Sequence, residues 1–308
     1  MIRQRIVASI GIILAFLLAG CGQVESTKVL MDEIESLEEQ QETVLADDEM
    51  TYSMLDLEKD WVFVDAMGLE YELVVDYKAN LNTYSEKGYY YENERPCYDV
   101  KGYTYRHGVD VSYYQEEIDW ERVRADGIEF AIVRLGYRGY GAAGTLNLDS
   151  RYEENIQGAK DAGLDVGVYF FAQAINEQEA VEEAKFVLQH LGGRELEMPI
   201  VYDPETVLED GARTTGVSRE QFTKNAIAFC ETIKEAGYQP MIYCNMLWQA
   251  FELDMSELTA YPIWYADYEP YPQTPYHFDI WQFTQKGTVD GIKGNVDINV
   301  QLIKEYNE

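Results

Sequence analysis

The sequence has little of the residues that most often bind metals or carry nucleophilic catalysis. Of its 308 residues, only three are histidine and four are cysteine. His107, His190 and His277 are scattered, and no two cysteines have the Cys-x-x-Cys spacing of a zinc site. The sequence therefore gives no sign of a zinc centre or a Ser-His-Asp triad.

Basic residues are also scarce. There are 24 lysines and arginines against 56 aspartates and glutamates, which gives a formal net charge of -32. A polyanion of this kind is repelled by nucleic acid and by anionic lipid surfaces. We therefore exclude nucleic acid as a partner and interpret the charge as a well-solvated surface.

The apolar run at the N-terminus, Ile6–Leu18, is shorter than the ~20 residues of a membrane span. Arg3 and Arg5 precede it, and small residues follow it. This pattern predicts a secretory signal peptide over residues 1–20.

The last four residues of that pattern, Leu18-Ala-Gly-Cys21, resemble a bacterial lipobox. The resemblance implies cleavage before Cys21 and lipid attachment to its thiol, which would hold the chain on the extracytoplasmic face of a bacterial membrane. The alternative is an ordinary signal peptide with an incidental cysteine. Of the remaining cysteines, Cys230 and Cys244 could be neighbours, either as a disulfide or as two buried thiols.

The rest of the chain divides into three regions by composition. Residues 21–58 are acidic and poor in glycine and aromatics, which favours a flexible linker or stalk. Residues 59–104 favour a small, tyrosine-rich β region whose tyrosines either bind glycan or pack structurally. In residues 105–308, strand-like and helix-like runs alternate.

This alternation predicts an α/β fold, specifically an irregular TIM-like (β/α) barrel with eight strands and fewer helices. Helices are predicted for Ser150–Ala162, Glu177–Leu191 and Ser218–Ala236. The later connections are too short to hold helices. The predicted strands are 107–112, 129–135, 165–172, 198–203, 239–244, 262–267, 278–283 and 295–299.

Four acids stand at the ends of these predicted strands: Asp110, Asp203, Glu205 and Asp267. An apolar strand that ends in an acid delivers it to the carboxyl-terminal rim of a barrel, where active sites lie. Several acids on one rim, without metal-ligand spacing, favour hydrolysis of a glycosidic bond.

Asp203 and Glu205 are two residues apart, so on an extended strand they share one face, ~6.6 Å apart. Pro204 cannot donate a ladder hydrogen bond and marks the end of regular pairing. Two carboxyls this close do not ionise independently, and we expect the longer Glu205 to keep its proton and act as general acid. The alternative is a structural pair that caps neighbouring helices.

Aromatic and amide side chains near these acids are candidates for sugar binding, because a ring face packs against sugar C–H groups. For Trp264, core packing is the alternative. The predicted substrate-binding residues are Tyr137, Tyr169, Trp264, Tyr268, Trp281 and Gln282.

From Tyr105 onward the chain resembles glycoside hydrolase family 25, the muramidases or lysozymes of bacteria, phages and some fungi. The resemblance rests on short motifs in the expected order. They are His107–Ser112, Gln115, Ile118–Trp120, Phe130–Gly136, Gly167–Phe171, Ile200–Glu205, Gly237–Tyr238, Ile263–Asp267, Ile280–Phe283 and Gly294–Asn299.

The resemblance implies cleavage of the β-1,4 bond between N-acetylmuramic acid and N-acetylglucosamine in peptidoglycan, without a metal or cofactor. It implies Glu205 as proton donor, Asp203 as its partner, and Asp110 and Asp267 as further pocket acids. Assistance by the substrate's 2-acetamido group is expected, while inversion by direct water attack stays open. The family usually has an apolar residue other than proline between the paired acids, so Pro204 is expected to stiffen the segment, which could shift Glu205.

Two other functions stay compatible with the sequence. With Glu205 misplaced, the chain would be a non-catalytic peptidoglycan-binding lipoprotein on the same fold. It could also be a glycosidase for another 2-acetamido polymer such as chitin, although the DxxDxDxE pattern of the chitinase barrels is absent. In each case glycan strands are the expected partner, and the lipid bilayer is the second partner through Cys21.

Overall fold

The computed structural model describes residues 60–305. The predicted signal peptide, the lipidation candidate Cys21 and the acidic linker lie outside these residues. The α-helices are α1 (Trp120–Ala125), α2 (Tyr152–Asp161), α3 (Glu177–Leu191) and α4 (Arg219–Glu235). The strands are β1 (Asp60–Val64), β2 (Glu70–Val74), β3 (Tyr89–Glu92), β4 (Arg95–Tyr98), β5 (Tyr103–Val111), β6 (Ile128–Arg138), β7 (Leu146–Leu148), β8 (Asp165–Ala172), β9 (Ile200–Pro204), β10 (Pro240–Asn245), β11 (Ile263–Ala266), β12 (Ile280–Gly287) and β13 (Val296–Lys304).

Eight strands close into a barrel. Their order is β5-β13-β12-β11-β10-β9-β8-β6, and β6 pairs back onto β5. The barrel strands are parallel to one another except β13, which is antiparallel to both β12 and β5. In the described structure, the connections after β11 and β12 contain no helix. The prediction of an irregular eight-stranded (β/α) barrel with fewer helices is confirmed.

Side chains alternate between the barrel interior and the outer wall along each strand. The interior is crowded near its floor: a Cβ added at Gly108 would lie 2.2 Å from the Phe130 ring. A larger apolar core fills the space between the outer wall and the helices. The interior apolar residues are Phe130, Ile132, Met198, Val201, Met241, Tyr243, Trp264, Ala266 and Ile280.

Local capping sets the helix ends. Ser218 precedes α4, and its hydroxyl accepts a hydrogen bond of 3.2 Å from the backbone N–H of Gln221. Gly192 ends α3 in the left-handed region, at φ 59°. The six-residue α1 was not predicted, because it is too short to show helical periodicity.

The segment before the barrel forms two hairpins, β1–β2 and β3–β4, which pack on the barrel wall. The indole N–H of Trp61 in β1 donates to the carbonyl of Gln273 at 2.9 Å. The β3–β4 turn places Asn93 and Glu94 at φ 50° and 66°, the backbone of a two-residue hairpin loop. Residues 60–104 are therefore β-rich, in line with their composition.

The three cysteines of the described residues, Cys97, Cys230 and Cys244, are buried and free. Between residues 60 and 305, no helix combines the length and the apolar character that crossing a membrane requires.

Candidate active site

A cavity of about 160 Å³ opens at the rim where the parallel strands end. Three of the predicted acids, Asp110, Asp203 and Glu205, line it. Four of the predicted substrate-binding residues also line it, so the barrel brings together positions spread over most of its sequence. The full lining is Asp110, Tyr169, Asp203, Glu205, Tyr243, Trp264, Tyr268, Gln282, Gln285 and Asp297.

Strand β9 delivers the acidic pair. Val201 packs in the barrel interior, so Asp203, two residues later, faces the same way and is only 3% exposed. Pro204 is the last residue of β9, a position where a residue without an N–H interrupts the hydrogen-bond ladder least. Glu205 then stands directly after the strand, exposed at the mouth of the cavity.

Asp110 is fixed by amide donors from the neighbouring strands. One of its oxygens, Oδ2, accepts hydrogen bonds from Gln282 Nε2 at 3.0 Å and Asn299 Nδ2 at 2.8 Å. Each amide is oriented in turn: the Trp264 indole donates to Asn299 Oδ1 at 2.7 Å, and the Tyr243 hydroxyl donates to Gln282 Oε1 at 3.1 Å. This network holds the Asp110 carboxylate in one orientation on the cavity floor.

Asp297 is a fourth acid of the cavity, which the sequence reasoning missed. It lies near the start of β13, and because β13 is antiparallel, its first residues reach the rim where the other strands end. Asp297 is the register partner of Asp110, and the two carboxyls share a hydrogen bond. Burial, followed by the Asp110 charge, raises the pKa of Asp297 to about 8, so Asp297 is the donor. The motif Gly294–Asn299 contains this residue, but its place follows only from the strand's direction.

The four carboxyls cannot all be ionised together, because burial penalises each charge and the charges oppose one another. Burial raises the pKa of Asp110 to about 6. Burial and the charges of Glu205 and Asp110 raise the pKa of Asp203 well above its usual range. Desolvation by the surrounding protein, followed by the Asp110 charge, raises the pKa of Glu205 to about 7. Its side chain is nevertheless exposed to solvent at the mouth of the cavity.

Arg134 brings a positive charge to the same part of the barrel. This charge lowers the pKa values of Asp203 and Glu205, against the effect of burial. Its Nε donates to Asp149 Oδ2 at 2.7 Å, while its Nη2 is buried and has no hydrogen-bond partner among residues 60–305. Arg134 lies two residues after Ile132 on β6, so alternation along the strand predicts that its side chain faces the barrel interior. The sequence alone could therefore have identified it.

Asp267, predicted as a rim acid, lies outside the cavity. Ala266 faces the barrel interior, so the next residue has the opposite parity. Its carboxylate accepts hydrogen bonds from one hydroxyl and two backbone N–H groups, those of Tyr265 (3.0 Å), Glu269 (3.1 Å) and Gln273 (2.8 Å). Asp267 therefore holds the loop after β11 in place.

Two predicted substrate-binding residues are also elsewhere. Trp281 faces the outer wall, where its indole donates to the carbonyl of Asp267 at 2.7 Å. Tyr137 packs against the guanidinium of Arg134, 5.4 Å from its ring centroid, and is not among the cavity's lining residues. Trp264 lines the cavity and also packs in the core, so both interpretations of this residue hold.

The hydroxyls of Tyr169 and Tyr243 stay protonated, because burial raises their pKa values well above the usual range. In the described part of the chain, no group of three or more histidine, cysteine or acidic side chains is arranged to hold a metal ion. The cavity thus offers acids, neutral hydroxyl donors and amides, which is the chemistry of proton transfer and hydroxyl recognition.

Comparisons with known proteins place the chain among carbohydrate-active enzymes. The model of the family described as "Glycosyl hydrolases family 25" matches residues 109–292, more than half of the chain. The protein YegX of Escherichia coli K12 is 31% identical over 205 residues, which cover 63% of this chain and 68% of YegX. The autolytic lysozyme of Clostridium acetobutylicum is 25% identical over 193 residues, covering 62% and 54%. The crystal structure of the bacterial lysozyme from Streptomyces coelicolor superposes with a TM-score of 0.52 at 25% identity, covering 65% of this chain and 92% of that one.

Proposed function

The chain belongs to glycosyl hydrolases family 25, and from this premise we propose that it is a muramidase of peptidoglycan. Its membership makes it a glycoside hydrolase. The bond to be hydrolysed is the β-1,4 bond between N-acetylmuramic acid and N-acetylglucosamine. The lysozyme names of the relatives from C. acetobutylicum and S. coelicolor support this substrate. The observation that carries the proposal is the rim cavity, where Glu205, with its raised pKa, stands above the buried Asp110 and Asp203.

In this proposal Glu205 is the general acid. Its pKa of about 7 keeps a proton available near neutral pH, and its position at the mouth suits transfer to the oxygen of the leaving sugar. The C–O bond to the anomeric carbon breaks as that oxygen takes the proton. The carboxylate left on Glu205 later accepts a proton from the attacking water, which restores the acid.

Asp203 is proposed to assist the substrate's own 2-acetamido group. Its side chain lines the cavity, and its Oδ1 has no hydrogen-bond partner among the described residues. The proposal is that this carboxylate accepts a hydrogen bond from the acetamido N–H. Such a donor favours the ionised form of Asp203, as does Arg134. The acetamido oxygen then attacks the anomeric carbon, and Asp203 stabilises the positive oxazolinium-like ring until water opens it with net retention.

The alternative is a non-catalytic peptidoglycan-binding protein on the same fold. It would follow if Pro204 held Glu205 away from the glycosidic oxygen. The position of Pro204 at the end of β9, with Glu205 still lining the cavity, favours catalysis instead.

The site of action is proposed from the N-terminus. A lipid on Cys21 would tether the enzyme to the extracytoplasmic face of a bacterial membrane, with the residues up to 58 as a stalk. A tethered enzyme suits remodelling of the cell's own wall.

The test is the release of reducing ends from purified peptidoglycan by the full chain. We expect muramic acid at the new ends and a loss of about 10²- to 10⁴-fold in Glu205→Gln, which cannot donate the proton. Glu209→Gln is the matched control, because Glu209 is an exposed glutamate four residues away in the same loop. An unmutated protein that binds the same glycan without releasing ends would establish the binding alternative.

A further inference from the structure

A groove of about 1040 Å³, much larger than the catalytic cavity, runs along the outer wall of the barrel. Its floor consists of outward-facing side chains of β5, β12 and β13, including His107, Phe283 and Ile298. Its far wall is the β3–β4 hairpin, which lies outside the residues that the family model matches. The volume is at the upper end of the ~300–1,000 Å³ typical of ligand sites.

The groove and the catalytic cavity lie on opposite sides of Tyr268 and the end of β12. Tyr268 lines both, and its hydroxyl donates to Gln282 Oε1 at 3.0 Å on the cavity side. At the end of β12, Gln285 lines the cavity, while Thr284 and Lys286 line the groove. The two spaces are therefore neighbours, separated by one layer of side chains.

The groove leads away from the rim. Its lining extends to Asp126 and Gly127, which precede β6 at the opposite end of the strand from the acids. The hairpin is fixed at both sides of its turn: Tyr91 donates to the carbonyl of Pro270 at 2.7 Å, and Arg95 donates to the carbonyl of Asp126 at 2.7 Å. A groove that descends the wall suits a branch of the substrate, since the proposed function takes the glycan strand across the rim.

The charges in the groove select the branch. Arg95 is paired with Asp126. Three exposed carboxylates, Glu92, Glu94 and Glu269, line the groove without an ion-pair partner in the described structure, and Lys286 is the lining lysine that opposes them. The net negative charge favours a substituent that carries a positive charge over the same substituent with that charge removed.

We propose that this groove binds the stem peptide that peptidoglycan carries on muramic acid, through a free amine of that peptide. The inference rests on the proposed function, because it takes the sugar in the cavity to be muramic acid. It assigns the β3–β4 hairpin a role in choosing strands whose stems have an unreacted amine over strands whose amine is used in a cross-link.

The test measures binding of two soluble probes to the full chain by calorimetry. One is the disaccharide-tetrapeptide with its free amine, and the other is the same compound with the amine acetylated. We expect the free amine to bind about fivefold more tightly. The triple substitution of Glu92, Glu94 and Glu269 by glutamine should remove this difference, and these exposed positions allow the fold to be checked by circular dichroism.

The matched control replaces three exposed glutamates outside the groove, Glu70, Glu72 and Glu195, by glutamine. It makes the same change in net charge and should keep the fivefold preference. Equal binding of the two probes by the unmutated chain, or the same loss in both triple variants, would overturn the inference.

The two proposals fail in different ways. Cleavage of stem-free glycan strands tests the muramidase and does not need the groove. A chain that cleaves them, yet binds both probes equally, keeps the proposed function and loses the groove assignment. A chain that cleaves no glycan, yet prefers the free amine, loses the muramidase and keeps a binding site for amine-bearing peptides.

Discussion

At the scale of single residues, Glu205 sets the pH range of the reaction, because the mechanism uses its protonated form. Its pKa of about 7 means that the acid is present below pH 7 and is lost above it. We expect kcat/KM to fall about tenfold per pH unit above pH 7, measured on soluble peptidoglycan fragments from pH 5 to 9. A flat profile up to pH 9 would contradict a general acid at this position.

Arg134→Gln provides a companion measurement. Removing its positive charge destabilises the ionised form of Glu205, so the pKa of Glu205 rises and the alkaline limb moves to higher pH. Lys185→Gln removes the same charge from an exposed position on α3 and should leave the limb in place. A shift of the limb to lower pH in Arg134→Gln would refute this electrostatic role.

The sequence predicted Asp267 as an acid of the cavity, but the structure places Asp297 there instead. Two variants test which of these residues supports activity. Asp297→Ala should lower activity, because it removes the hydrogen bond that Asp297 donates to Asp110 in the cavity. Asp267→Asn should keep activity but lower the free energy of unfolding by about 1–3 kcal/mol, because an amide cannot accept all the hydrogen bonds of the loop. Activity assays and urea unfolding check both; lost activity in Asp267→Asn with unchanged stability would restore the sequence prediction.

At the scale of elements, the sequence predicts what alternation and capping determine. All eight barrel strands were predicted, because buried strands appear in the sequence as apolar runs. Strands β8 to β11 match the prediction within two residues at both ends. Strand β5 begins four residues earlier than predicted, and β6, β12 and β13 end three to five residues later. Asp110, Asp203 and Glu205 could be predicted because each stands at the carboxyl end of a barrel strand. Asp297 could not, because that reasoning assumes that each strand runs in the same direction as its neighbours. The groove could not be predicted either, because it needs the docking of a hairpin on an outer wall.

Gly108 in β5 tests the packing of the barrel interior. A methyl group there would meet the ring of Phe130, which is fully buried and cannot move aside. We expect Gly108→Ala to lower the free energy of unfolding by about 1–3 kcal/mol, measured by chemical denaturation. Gly141→Ala, at a glycine with open space around it, should be close to neutral. Equal stabilities of the two variants would show that the interior relaxes freely.

At the scale of the whole molecule, the proposed anchor decides where the enzyme works. Cys21→Ser should release the protein from the membrane fraction of a bacterial host, because the acyl chains, worth ~0.8 kcal/mol per buried CH₂, would be lost. Fractionation and mass spectrometry of the mature chain measure this. Cys97→Ser, at a buried cysteine, should remain membrane-bound. A Cys21→Ser protein that stays with the membrane would argue for a different means of retention.

The antiparallel strand β13 is the last barrel strand to be synthesised, and the catalytic cavity is complete only when it has paired. Strand β5 is made first among the barrel strands, yet one of its edges pairs with β13, the last of them. During synthesis that edge waits open while the intervening chain emerges, and an open edge invites wrong pairing. Because Asp297 lies on β13, the closing strand also supplies the last acid of the cavity, so a barrel that has not closed lacks its full set of catalytic candidates.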